Sequence, residues 1–312
     1  FRRVLFRSLG RVLPGQRDGA LLWHESITNF LLQEMGIGCC EAYPSLLRSE
    51  CGACMMLLHV DDILCLCTQQ FLSDVLRPTL ERKYKVAIEV MRDPGDEITF
   101  LKRRHFFMDE FNMLIESHPK HIEHVLDLLN VRRHFQPKKT PAHPELDAND
   151  GTPELDTTQA GIYRSAVGTL LYIAADFPDC QFTIRALAQW MAKPTFHAFN
   201  CLKYFAGYLL GCTNHCLQLT LRPQHGLYNY YGDLMVLEVF CDSDCAANKR
   251  TRKSVSSCCM MLHGCLLYSC SRTQRTIALS SGEAETYAAT SGGCDAVLLR
   301  ECLLFLFPND GL

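Results

Sequence analysis

Two adjacent carboxylates, Asp61 and Asp62, interrupt the otherwise apolar stretch MMLLHVDDILCLC at residues 55–67. Adjacent like charges repel and resist burial, so the pair asks for a cation or for open water. A divalent metal would satisfy it and would serve phosphoryl chemistry. On spacing alone, a polar hairpin tip with two solvated aspartates is the stronger reading. A second acidic pair is Asp242, which ends the apolar run 237–241, and Glu283, which opens a helical pattern. Asp244 shares the face of Asp242 if the strand continues. Such acids could hold magnesium for phosphodiester hydrolysis, although Glu283 by itself would equally serve as a helix-dipole partner.

Short basic blocks complement these acids. Lys102, Arg103 and Arg104, then Arg132, Arg133, Lys138 and Lys139, then Lys249, Arg250, Arg252 and Lys253 are separated by neutral or acidic sequence. Each alone fits a solvated turn; together they suit a groove that follows a phosphate backbone. Cys51 and Cys54 form a CxxC that Cys39 and Cys40 could complete as a zinc site. No second CxxC or His pair follows at zinc spacing, so ordinary core cysteines are the better account.

These side chains need elements to place them. Leu22, Trp23, Ile27, Phe30, Leu31 and Met35 recur at helical spacing and Gly36 follows as a stop, which predicts an amphipathic helix over 20–35. The runs 54–59 and 63–67 predict a buried β-hairpin with Val60, Asp61 and Asp62 at its tip. Side chains alternate along an extended chain, so one acid should reach a shared site while the other flanks it. Ile122, Val125, Leu126 and Leu129 predict a helix over 118–131. Residues 136–160, rich in Pro, Asp and Gly, read as a linker. Beyond it, strands are predicted at 237–241, 255–262 and 265–270, then a helix from near Ser281, capped by Ser280 or Ser281.

With 312 residues and 48% hydrophobic composition, the chain has material for about two domains. A net charge of −3 does not announce a nucleic-acid binder. No apolar run reaches the roughly 18 residues needed to cross a bilayer, and nothing at the N-terminus resembles a signal peptide. The 18 cysteines form no evenly spaced disulfide framework. The expectation is an intracellular globular protein in a reducing compartment, with no membrane partner. Residues 1–8, FRRVLFRS, fit no hydrophobic period and back-translate to a string resembling a sequencing-library adaptor, so they are expected not to be native.

Several motifs carry a family resemblance. His59, Val60, Asp61, Asp62 resembles the Tyr-Val-Asp-Asp hairpin of reverse transcriptases, with His59 in place of the Tyr. Leu13, Pro14, Gly15 and Gln16, then Trp23, resemble the Gly-Leu-Lys-Gln-Ala-Pro and Trp segment of copia-type retrotransposon polymerases. Pro44, Ser45 and Leu46 resemble their Asp-Pro-Ser-Leu, and Phe100, Leu101, Lys102 and Arg103 the Phe-Leu-Gly that leads the primer-gripping strands. Tyr163, Arg164, Ser165, Val167, Gly168, Leu171 and Tyr172 resemble Tyr-Arg-Ser-Leu-Val-Gly-Ser-Leu-Leu-Tyr, and Pro178 with Asp179 resembles Arg-Pro-Asp. Lys203, Tyr208, Leu209 and Gly211 are similar to the end of the connection. Residues Asp242 to Ala246 resemble Ser-Asp-Ala-Asp-Trp-Ala-Gly, and ALSSGEAETYAA resembles Ala-Leu-Ser-Ser-Thr-Glu-Ala-Glu-Tyr, both ribonuclease H landmarks.

The resemblance, to copia-type LTR retrotransposon Pol polyproteins, implies an α+β architecture. It comprises a non-family stretch at 1–12, a partial reverse-transcriptase palm at 13–105, a thumb-like part at 106–135, the linker at 136–160, a helical connection at 161–232 and a truncated ribonuclease H-like α/β domain at 233–312. It implies Asp61, Asp62, Asp242 and Glu283 as catalytic, metal-binding acids for magnesium or manganese. Gln16, Arg17, Lys102, Arg103, Lys249, Arg250, Arg252 and Lys253 become nucleic-acid contacts. The implied partners are an RNA template, a DNA primer and an RNA–DNA hybrid, with dNTP in the intact enzyme, and the implied location is a cytoplasmic virus-like particle or the nucleus. Two parts of the family pattern have no counterpart: the first polymerase Asp, in an upstream Leu-Asp-Val segment, and the last ribonuclease H acids, in a Cys-Asp-Asn context. The expectation is therefore a piece of an RNA-directed DNA polymerase with ribonuclease H, inactive in isolation. The alternative is a catalytically dead, domesticated nucleic-acid-binding or structural protein.

Overall fold

The computed structural model describes residues 18–109, 111–131, 135–146, 151–212, 215–220 and 236–308. The stretch 1–12 and Gln16, Arg17, Arg132 and Arg133 lie outside these residues. The fold is mixed α and β with antiparallel sheets. Two compact units are distinguished, one from the described residues up to Glu89 with those from Leu298 on, the other from Val90–Val297.

In the first unit, helix α1 (Gly19–Met35) buries Ile27, Phe30 and Leu31 on one stripe, while Leu22, which the spacing puts on the same face, is exposed. It stops at Gly36, whose φ of 62° turns its N–H back onto the carbonyls of Leu31 and Leu32, a conformation that suits glycine. Strands β1 (Ile37–Cys39), β2 (Leu46–Ser49), β3 (Cys54–His59) and β4 (Asp62–Cys67) pair antiparallel in that order. β3 alternates buried Cys54, Met56 and Leu58 with half-buried Met55 and Leu57, so one sheet face joins Ile27, Leu31 and Leu47 in the core. A helical segment follows. The hydroxyl of Thr68 accepts the N–H of Phe71 at 3.2 Å, a π-helical stretch covers Leu72–Leu76, and α2 (Arg77–Lys83) completes it. Phe71, Leu72, Leu76 and Leu80 close the same core.

In the second unit, β5 (Glu97–Phe100), β6 (Arg103–Phe107) and β7 (Asn112–Ser117) form a meander, and β8 (Leu217–Thr220) pairs with β7. Helices α3 (Lys120–Leu128), α4 (Thr157–Ile173), α5 (Gln181–Ala188) and α6 (Phe196–Leu209) enclose a core that holds Tyr163, Leu170, Leu202 and Phe205. The Pro- and Asp-rich stretch before α4 contributes to it, because Leu146 and Leu155 are buried there and Glu154 bridges to Thr195. Its last residues belong to α4, whose first turn is capped by Asp156 accepting the Gln159 N–H at 2.8 Å.

Strands β9 (Leu237–Ser243), β10 (Val255–Leu262) and β11 (Cys265–Thr273) form a three-stranded sheet with β10 central and β9 at its edge. Helix α7 (Ser281–Leu306) lies against one face. A Cβ at Gly292 would fall 2.3 Å from the Cys241 sulfur, so this approach requires glycine. Helix α5 takes the other face: Gln181 Nε2 donates to Ser269 Oγ at 2.9 Å and Arg185 Nη1 to Thr273 Oγ1 at 2.5 Å. Among the described residues no helix is long and apolar enough to cross a membrane.

Candidate active site and nucleic-acid interface

β3 and β4 meet in a two-residue turn, Val60–Asp61, with His59 and Asp62 paired across it. Val60 has a φ of 57°, uncommon for a β-branched residue. Asp61 therefore sits in the turn and Asp62 at the first paired position, both exposed. The indole N–H of Trp23, from α1, donates to the Val60 carbonyl. Tyr84 meets the Trp23 ring edge-on at 5.7 Å between centroids and the Phe30 ring at 5.3 Å. Among the described residues no three His, Cys, Asp or Glu side chains converge as a metal centre. The hairpin thus offers two hard oxygen donors, which fits a magnesium ion that keeps most of its waters. In the CxxC region Cys40 and Cys54 are buried while Cys39 and Cys51 are exposed.

Asp242 and Asp244 line a cavity of about 260 Å³ with Pro178, Gln181, Phe182 and Ser257. Asp244 organises the loop after β9, its Oδ1 accepting the N–H of Val255 at 3.0 Å and of Ala247 at 3.4 Å. Cys241 faces α7, so alternation along β9 turns Asp242 to the α5 face. Glu283 stands in the first turn of α7 with both oxygens engaged: Oε2 accepts the Leu279 N–H at 2.7 Å and Oε1 the Tyr287 hydroxyl at 2.9 Å. Its own N–H donates to Ser280 Oγ at 3.1 Å, a reciprocal arrangement akin to a capping box. The Leu279 N–H, then the Tyr287 hydroxyl, hold the Glu283 carboxyl below the usual carboxylate range. No hydrogen bond or ion pair joins Asp242 to Glu283 among the described residues.

The basic residues divide into two kinds. Arg103 is ion-paired to Asp176 at 2.5 Å, and Arg104 to Glu97 at 3.1 Å and Glu116 at 2.8 Å. Lys102 is exposed in the turn between β5 and β6, at a φ of 62°. Lys249, Arg250, Arg252 and Lys253 occupy the loop between β9 and β10, and none makes an ion pair among the described residues. That loop is held in shape. Asn248 Oδ1 accepts the N–H of Arg250 at 3.1 Å and of Thr251 at 2.9 Å, and Asn248 Nδ2 donates to Gln189 Oε1 at 2.7 Å. The Arg250 guanidinium lies over the Trp190 ring. Charge patterning could not reveal Trp190 and Asn248, because neither is charged; the one signal was that Trp190 is among only two tryptophans.

No family model matches the chain. It is 28% identical over 239 residues to an uncharacterized mitochondrial protein of Arabidopsis thaliana, spanning 74% of this chain and 88% of that protein. It is 27% identical over 261 residues to the retrovirus-related Pol polyprotein from transposon TNT 1-94 of Nicotiana tabacum, spanning 82% of this chain. Identity is likewise 27% over 286 residues, 89% of this chain, to the Pol polyprotein from transposon RE1 of Arabidopsis thaliana. The chain spans 18% of the length of each of these two polyproteins. With the match to the RE1 polyprotein covering 89% of the chain, the similarity takes in both the acid-tipped hairpin and the three-stranded sheet, and the chain is similar over most of its length to retrovirus-related Pol polyproteins of transposons.

Proposed function

We propose that the chain is the palm-to-ribonuclease H portion of a retrotransposon RNA-directed DNA polymerase, with the Asp61–Asp62 hairpin as its polymerase metal site. The observation that supports this most directly is the hairpin itself. The strand β3, with one face buried, and the half-buried strand β4 converge on a turn where a β-branched residue adopts a positive φ and two carboxylates stand exposed. Strained backbone of this kind gathers at functional sites. Magnesium or manganese, held by Asp61 and Asp62, would supply charge neutralisation for nucleotidyl transfer from a dNTP to a DNA primer on an RNA template. Asp61 in the turn makes the more direct contact, and Asp62 flanks it.

The loop Lys249–Lys253 binds the phosphate backbone of an RNA–DNA hybrid, with Trp190 ordering Arg250. In the same sheet Asp242 is the acid through which a ribonuclease H centre would hold its metal. Glu283 and Asp244 are engaged in hydrogen bonds, so that centre calls for a rearrangement at Glu283 and for further carboxylates.

The test joins residues 13–312 to the upstream polymerase segment of an intact element and follows extension of a DNA primer on RNA with magnesium. Loss of extension in Asp61→Asn, with an unchanged melting temperature, supports the assignment. Wild-type extension by that variant overturns it.

A further inference from the structure

The hairpin tip has a support outside the hairpin. Trp23 lies in α1, 37 residues before Val60, and its indole N–H donates to the carbonyl of the one tip residue with a positive φ. A two-residue hairpin ordinarily places Gly, Asn or Asp where φ is positive, and a β-branched side chain stays there only when its surroundings over-determine it. Below the tip the His59–Asp62 pair supplies one constraint. Trp23 supplies the other from the side.

The indole is itself braced. It has a single donor and no acceptor, so its hydrogen bond fixes one direction. Its ring meets Tyr84, Tyr84 meets Phe30, and the Lys83 ammonium lies 4.1 Å from the Phe30 ring centroid. Arg82, next to that lysine, is ion-paired to Glu34 of α1. The two helices are thus joined at the point from which the indole reaches the tip.

We infer that Trp23 is the positioning residue of the hairpin acids: its N–H holds the Val60 carbonyl, and through it the direction in which Asp61 meets a divalent cation. The inference rests on the metal-site reading above. Two readouts on the full chain test it. One is solvent exchange of the Trp23 indole proton by NMR, assigned with Trp190→Phe; the other is Mn²⁺ affinity from the electron paramagnetic resonance of the free ion. The indole proton is expected to be protected from exchange. Trp23→Phe, which keeps a ring against Tyr84, should weaken Mn²⁺ binding by about threefold to tenfold, the range of one neutral hydrogen bond, without a matching fall in melting temperature. Asp61→Asn should remove the binding. An indole proton exchanging at the free rate, or Mn²⁺ affinity kept in Trp23→Phe but lost in Asp61→Asn, overturns the role of Trp23 and leaves the metal site standing. Absence of Mn²⁺ binding by the unaltered chain, or undiminished binding by Asp61→Asn, overturns the metal-site reading and this inference with it.

Discussion

The guanidinium of Arg250 lies over the indole of Trp190, its Cζ 5.1 Å from the ring centroid, and this ties the basic loop after β9 to the turn that follows α5. A stacked guanidinium keeps its N–H groups free to donate at its edge. Trp190 therefore orders the cation without neutralising it.

On the proposed function, the loop's contribution can be read from salt dependence. Arg250→Ala should weaken binding of an RNA–DNA hybrid and lower the slope of log affinity against log salt by about one unit. Trp190→Ala should weaken binding by no more than about tenfold and leave the slope intact, because it removes order and not charge. Fluorescence anisotropy across a salt series measures both. An unchanged slope in Arg250→Ala would show that the loop does not touch the backbone.

Gly292 carries the packing of α7 on the sheet. Gly292→Ala should destabilise the protein by about 2 kcal/mol, since a methyl group there overlaps the Cys241 sulfur. Cys241→Ala should recover most of that loss when the two are combined, a coupling that urea denaturation of the single and double variants reports. Additive effects would mean the helix sits elsewhere.

The ion pair of Arg103 with Asp176 is structural. Their side chains are 27% and 8% exposed, so Asp176→Asn leaves a guanidinium largely out of water without its partner. The expected loss is about 3 kcal/mol, near the lower end for a broken buried pair because Arg103 keeps some solvent. Lys102→Ala, one residue away and exposed, should stay within about 0.5 kcal/mol. Equal effects in the two variants would refute the distinction.

His105 gives stability a pH dependence. Burial, then the neighbouring Arg103 guanidinium, pushes its pKa below 6.5, while a hydrogen bond to the Phe100 backbone and, less, Asp176 oppose them. The folded state thus keeps the ring neutral where the unfolded chain takes up a proton. Its contribution is intact above about pH 6.5 and declines as the pH falls through that value toward the lower folded one. His105→Gln, which cannot take up that proton, should flatten the fall in urea midpoint over this range. A variant with the parental slope would assign the acid sensitivity to other groups.

What periodicity could show was local. The stripe from Leu22 to Met35 and the stop at Gly36 place α1, and the apolar runs on either side of Val60 place β3 and β4. The run 255–262 coincides with β10. Distant partners left no such trace. β8 finds β7 from about a hundred residues away, and Arg103 finds Asp176 across 73 positions. Leu146 and Leu155 follow no period because an irregular segment, not a helix or strand, delivers them to the core. Glu283 shows the limit most sharply, since an acid in a first helical turn reads the same whether it caps its own helix or awaits a metal. The hydrogen bonds to Leu279 and Tyr287 distinguish its present state, and the contact of Gly292 with Cys241 turns Asp242 to the opposite side of the sheet.

Asp242 stands on β9, at the edge of its three-stranded sheet. Among the described residues β9 is paired on one side only, so its outer N–H and C=O groups form a template on which another strand can grow. Two copies joining there antiparallel about Phe240 would set Glu238 of one against Asp242 of the other, and the reverse, and like charges facing each other oppose that ladder. In such a pairing each copy's Asp242 would count against the ladder. Replacing that aspartate with asparagine would lower the repulsion.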